Sequence, residues 1–212
     1  MPIETFAALL MLTFAGCWTS GPNNAMLAAS GVNFGLARTV PHINGVWLGF
    51  AGMVFLVAVF LGEAFQQSAL LRETLRWGGA ALLLWVAWQI ATKGGLPSDG
   101  GEAKPFTFWQ AAAFQWVNAK AWVMAVAISA QFVRPEAPWL TAGLVALAFA
   151  LAGVTSSLGW AAAGQGLRRF LADPLRLRVF NAVMGLSIAL GVVLMVMDGP
   201  VAEPMAAPEA AP

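Results

Sequence analysis

The sequence predicts an all-α integral membrane protein with six transmembrane helices. Of its 212 residues, 59% are hydrophobic and only 10% are charged, and the mean hydropathy is +0.74. Soluble domains usually carry about 25% charged residues. A spanning helix takes about 20 residues, so six of them use more than half of the chain. The short loops that remain leave no room for a soluble catalytic domain.

Six apolar segments predict the spans, at approximately residues 3–30, 45–61, 70–91, 109–132, 139–164 and 180–197. They form one transmembrane domain over residues 1–197. The tail, residues 198–212, is rich in Ala and Pro and is expected to be disordered. No basic residue precedes the first apolar run, which predicts a retained helix rather than a cleaved signal peptide.

The first span contains a break at Gly21-Pro22-Asn23-Asn24. Proline removes a helix donor and glycine loosens the backbone, while lipid tolerates freed backbone groups only where protein or a water-filled cavity receives them. Two carboxamides follow at membrane depth. A helix broken near mid-membrane indicates the substrate site of a transporter. The alternative is a proline kink whose asparagines bind neighbouring helices.

The fourth span carries Lys120, the one formally charged side chain well inside a predicted span. A cation at the bilayer centre costs at least ~2.5 kcal/mol, which favours a lysine that faces a cavity or pairs with backbone carbonyls. The alternative is a lysine that snorkels to the surface. Gln115 and Asn118 precede it on adjacent turns of one helix face. These three residues join the first-span motif as candidates for substrate binding.

Loop charges predict the orientation. Seven of the eleven lysines and arginines lie in the first, third and fifth loops, three lie in the second and fourth, and Lys120 lies within a span. The richer side is expected to be cytoplasmic, which places both termini outside. Six spans divide into two sets of three, and this predicts an inverted 3+3 repeat with helices 1 and 4 broken at corresponding positions.

The residue composition argues against several functions. Cys17 is the sole cysteine and His42 the sole histidine, so no cysteine zinc site or internal disulfide is possible. No nucleotide loop or HExxH motif is present, no cofactor is implied, and the net charge of +1 does not indicate nucleic-acid binding. All ten acids fall outside the apolar cores, so proton coupling would use Lys120, the substrate or an edge residue such as Glu63.

Other polar or small residues have structural interpretations. Thr155-Ser156-Ser157 is expected to form hydrogen bonds between helices. Asn181 could either do the same or belong to a substrate site. His42 is expected to cap or pack at the cytoplasmic edge. Close helix approach is expected at Gly31/Gly35 and Gly45/Gly49, which permits a homodimer. The basic stretch 164–179 is either an amphipathic surface segment on anionic lipid or a plain basic loop.

Two stretches carry a family resemblance. GPNNAMLAASGVNFGLARTVPHINGVWLG and FWQAAAFQWVNAKAWVMAVAISAQF resemble the first-span and fourth-span motifs of the LysE/RhtB family of amino-acid exporters. LLLWVAWQIATKG is similar to the cysteine/O-acetylserine exporter branch. The resemblance implies a small inner-membrane exporter of amino acids or close metabolites, working against proton entry. The motif residues of the family correspond by position to Gly21, Pro22, Asn23, Asn24, Asn118 and Lys120 in this chain.

Two departures from the family pattern alter these expectations. Ala119 stands where many members have proline, which predicts a softer second break, and the neutral Asn23 stands where many have aspartate, which puts a carboxylate relay in doubt. The leading interpretation is an alternating-access exporter of small neutral or polar amino acids. Its alternatives are an exporter of a metal ion or thiol and a non-transporting membrane scaffold.

Overall fold

The computed structural model describes residues 1–61, 68–93 and 103–197; the predicted tail and Glu63 lie outside the described residues. The regular structure in these ranges is helical. The helices are α1 (Ile3–Trp18), α2 (Pro22–Phe34), α3 (Leu36–Leu56), α4 (Ala69–Lys93), α5 (Phe108–Phe114), α6 (Ala119–Phe132), α7 (Pro138–Leu167) and α8 (Pro174–Met197). A π-helical turn, Val57–Leu61, extends α3, and 3-10 turns at Gln115–Val117 and Phe170–Ala172 follow α5 and precede α8.

The helices are those of a membrane protein. Three stretches, Leu36–Phe60, Pro138–Leu167 and Pro174–Val193, are each long and apolar enough to cross a bilayer. Two further spans are bent pairs, α1 with α2 at 58° and the α5 segment with α6 at 69°. These are the breaks predicted in the first and fourth spans. The predicted third span lies in α4, whose apolar stretch Trp77–Thr92 is shorter, so the six-span inverted repeat stays a prediction.

The two breaks have different local causes. Gly21 is fully extended between α1 and α2, and Pro22 occupies the first turn of α2, where its missing N–H has no helical partner to lose. At the second break a tight 3-10 turn ends in the extended residue Asn118. The chain bends by 69° there and by 58° at the first break, so a pronounced bend forms without a proline at Ala119.

The helix of the second predicted span begins earlier than expected. We predicted a loop up to residue 45, but α3 starts at Leu36 and joins α2 through Gly35 alone, at φ 79°. Polar residues lowered the hydropathy of this segment, yet their partners lie inside the protein. Thr39 donates to the Gly35 carbonyl at 2.8 Å, and His42 is fully buried with its Nδ1 2.9 Å from Ser30 Oγ. The expected packing role of His42 is confirmed by its contact with the Phe106 ring, and its position at the cytoplasmic edge stays a prediction.

Helix α7 packs against α1, α2 and α3, and α4 packs against α8. Glycines allow the closest approaches. Gly31 lies against the Ala161 backbone of α7, and Gly45 and Gly49 lie against the backbone of α5. The expected close approach is thus present at these three glycines, whereas Gly35 forms the joint between helices. Because these contacts are made within one chain, the glycine pairs give no argument for a homodimer.

Candidate functional site

The two helix breaks meet at a cavity of about 50 Å³. Six of the seven residues that the sequence nominates for substrate binding line it: Gly21, Pro22, Asn23, Asn24, Asn118 and Lys120. The seventh, Gln115, lies behind the wall and contacts Asn23. The structure therefore brings the two motifs together although about 90 residues separate them in the chain. A substrate role for these residues stays a prediction.

A pair of amides joins the two breaks. Asn23 donates through Nδ2 to Gln115 Oε1 at 2.8 Å, and Gln115 Nε2 returns a longer bond of 3.4 Å to Asn23 Oδ1. Gln115 is fully buried and also donates to the Ala111 carbonyl at 2.9 Å. Since its amide is occupied on both sides, Gln115 contacts Asn23 and the α5 backbone rather than the cavity in this conformation.

The carbonyl groups at the end of α1 are the second feature of the cavity. The last carbonyls of a helix lack helical partners and carry its negative dipole end. Asn24 donates to the carbonyls of Cys17 at 2.8 Å and Thr19 at 2.9 Å, and Ser156 of α7 also donates to Cys17 at 2.8 Å. Lys120 Nζ donates to the Thr19 carbonyl at 3.0 Å. Lys120 thus lines the cavity and pairs with a backbone carbonyl across it.

One acceptor in the cavity wall is unused. Asn118 is 3% exposed, and its Oδ1 has no hydrogen-bond partner among the described residues. A buried acceptor without a donor costs about 1–3 kcal/mol, so a solute that donates to it recovers this energy. The Lys120 ammonium and the N-terminus of α2, whose first N–H groups have no helical acceptors, lie at the same cavity. The cavity is therefore lined both by positive groups and by a residue with an unused acceptor.

The remaining wall was not foreseen from the sequence. It includes Cys17, Trp47, Phe50, Met124 and Ser156. Apolar side chains on a membrane helix give no sequence signal that separates a cavity wall from a lipid-facing surface. Ser156 was expected to bond between helices, and it does so while also lining the cavity.

Asn181, left open by the sequence, does not line this cavity. It exchanges amide hydrogen bonds with Asn33 at 2.8 and 3.2 Å, which ties α8 to α2. Its role in the structure is therefore an interhelical contact.

Comparison with known proteins agrees with this architecture. Residues 6–198 match the family described as LysE type translocator. Cysteine/O-acetylserine efflux proteins of Escherichia coli K12 and of Shigella flexneri are each 31% identical over 169 residues, which cover 77% of this chain and 84% of the relative. No solved structure matches. The chain belongs to the LysE-type translocator family, and it is a multi-pass inner-membrane transporter rather than an enzyme.

Proposed function

We propose that the protein exports small neutral or polar amino acids, with cysteine and O-acetylserine as the first candidates. The names of its 31%-identical relatives support this substrate class. The observation that carries the proposal is the cavity where the two breaks meet, which is lined both by the Lys120 cation and by Asn118, whose buried Oδ1 has no donor among the described residues. A zwitterionic amino acid has the complementary pair of groups.

In the proposed complex the substrate carboxylate lies at the N-terminus of α2 and against Lys120. Helix N-termini and ammonium groups both favour carboxylates. The substrate ammonium group donates to Asn118 Oδ1, which has no other donor among the described residues. Asn23 and Asn24 are left to contact the substrate side chain and to hold the ends of the two half-helices.

The same contacts support a proposal of alternating access. Lys120 on α6 holds the end of α1 through the Thr19 carbonyl. A bound carboxylate competes for that ammonium group and frees α1 from α6, so loading biases the two breaks towards a second arrangement. We also propose that export is coupled to proton entry and that both termini face outward. Among the described residues no acid lines the cavity, so Lys120 or the substrate would carry the transported proton.

Counterflow in liposomes tests the proposal. Vesicles holding the purified protein are preloaded with one unlabelled amino acid each: cysteine, O-acetylserine, serine, threonine, homoserine, leucine or lysine. We expect labelled uptake with cysteine, O-acetylserine or another small polar member, and none with lysine. Folded protein that exchanges none of them would contradict the proposal and favour another solute class or a scaffold.

An asparagine pair in α2 supplies matched variants for this assay. Asn24→Ala removes a cavity residue that holds the α1 carbonyls and is expected to abolish counterflow. Asn33→Ala removes an interhelical amide outside this cavity and is expected to retain counterflow. Equal activity of the two variants would contradict the site.

A further inference from the structure

A second, larger cavity of about 380 Å³ lies at the opposite end of α2. Its walls come from the last turn of α2, the connection between α7 and α8, and the start of α8, through Val32, Asn33, Arg168, Arg169, Leu171 and Leu177. Nine residues of helix separate Asn24 from Asn33, a distance of about 14 Å. This cavity is therefore distinct from the one at the breaks.

Two arginines in this cavity lack partners. Among the described residues, neither Arg168 nor Arg169 makes a side-chain hydrogen bond or an ion pair. The nearby carboxylate of Asp173 is engaged elsewhere, since it accepts from the backbone N–H groups of Leu175 and Arg176, each at 3.0 Å. The cavity thus presents two guanidinium groups and no opposing anion from the described part of the chain.

The polar wall beside the arginines is fixed. Asn33 exchanges hydrogen bonds with Asn181 and also donates to the Ala29 carbonyl at 2.8 Å. Its amide is therefore not free to turn towards the guanidinium groups. The rest of the wall is apolar, including the buried Leu171.

Exposed apolar side chains lie close to the arginines in the chain. Leu167, Phe170 and Leu175 are 45%, 63% and 69% exposed. In a chain that spans the bilayer, exposed apolar residues beside a helix end lie against lipid. Such contacts with lipid would place the two guanidinium groups at the depth of the lipid headgroups rather than in free solution.

We propose that this cavity binds the phosphate group of an anionic phospholipid. Guanidinium forks match phosphate oxygens in paired, charge-assisted hydrogen bonds. Basic cavities between membrane helices on the cytoplasmic side bind lipid headgroups in this way. The apolar wall and the exposed leucines and phenylalanine suit the start of an acyl chain, which favours a lipid over free phosphate or a soluble carboxylate.

Thermal unfolding of the full-length protein in neutral detergent tests the site without reference to transport. Phosphatidylglycerol, phosphatidylcholine, inorganic phosphate and acetate are added separately. Near-saturating phosphatidylglycerol is expected to raise the Tm by about 5 °C, since a ligand that binds only the folded state stabilises it by mass action. Phosphatidylcholine and the two soluble anions are expected to shift it by less than half of that.

Charge-matched variants locate the effect. The double variant R168Q/R169Q is expected to lose the phosphatidylglycerol shift, while R178Q, which removes an exposed arginine of α8 outside the cavity, retains it. If the glutamine variant does not fold, R168K/R169K replaces it. This variant keeps the two positive charges but loses the paired N–H donors of the guanidinium groups, and it is expected to halve the shift. Equal shifts in R168Q/R169Q and R178Q would overturn the site. A full shift with inorganic phosphate would overturn the lipid assignment.

Discussion

Lys120→Met separates the function of Lys120 from its contribution to folding. Methionine keeps most of the apolar stem but removes the ammonium group. The variant loses the 3.0 Å bond to the Thr19 carbonyl, and a hydrogen bond to a charged group is worth about 1.5–3 kcal/mol. It also removes a membrane cation that costs about 2.5–3.5 kcal/mol. The two terms nearly cancel, and Asn24 still donates to the Thr19 carbonyl.

We therefore expect the free energy of unfolding of Lys120→Met to change by less than about 1.5 kcal/mol. Transport is expected to change far more. If the ammonium group holds the substrate carboxylate, truncation costs about 2 kcal/mol or more in the loaded state. This corresponds to at least about a 30-fold loss of counterflow at subsaturating substrate.

The assay combines counterflow with thermal unfolding of the same preparations. Arg134→Met is the matched control, because it removes an exposed cation just beyond the end of α6 and away from the cavity. It is expected to keep both stability and counterflow. A Lys120→Met protein that retains at least half of the wild-type counterflow rate would refute the role of the ammonium group. A melting temperature that collapses in this variant would refute the cancellation.

Two further predictions concern the framework of the breaks. A Cβ at Gly79 would collide with the Val117 carbonyl at the second break, whereas Gly78 has nothing within 4 Å. Gly79→Ala is expected to lower the free energy of unfolding by about 1–3 kcal/mol, and Gly78→Ala to raise it by up to about 1 kcal/mol; equal effects on melting would contradict this packing. A double-mutant cycle of Asn23→Ala and Gln115→Ala is expected to give a coupling energy of about 0.6 kcal/mol, and additive effects would contradict the amide pair.

The sequence was most informative where local chemistry determines the structure. A proline preceded by glycine inside an apolar run gives a break at Gly21 and Pro22 in any membrane context, and the structure has it there. Lys120 had to avoid lipid, so its placement in a cavity also followed from its charge.

Tertiary partners account for what the sequence did not predict. The start of α3 was misplaced because Thr39 and His42 are polar residues typical of a loop. In the structure they are hydrogen-bonded inside the protein, Thr39 to the Gly35 carbonyl and His42 to Ser30. The second break depends on the extended backbone of Asn118, for which no proline gave a signal. In the same way, only packing brings Ser156 of α7 to the carbonyl end of α1.

Protection of Cys17 is the most direct test that substrate binds where the breaks meet. Cys17 is the only cysteine of the chain, it is partly accessible, and it lines the cavity. A small methanethiosulfonate reagent would be timed against wild-type protein with O-acetylserine or serine, whichever exchanges in counterflow. We predict about tenfold slower labelling at ten times the Kd by mass action, and no change with an amino acid that is not exchanged. An unchanged labelling rate at concentrations that saturate counterflow would contradict the account, because substrate would then bind elsewhere.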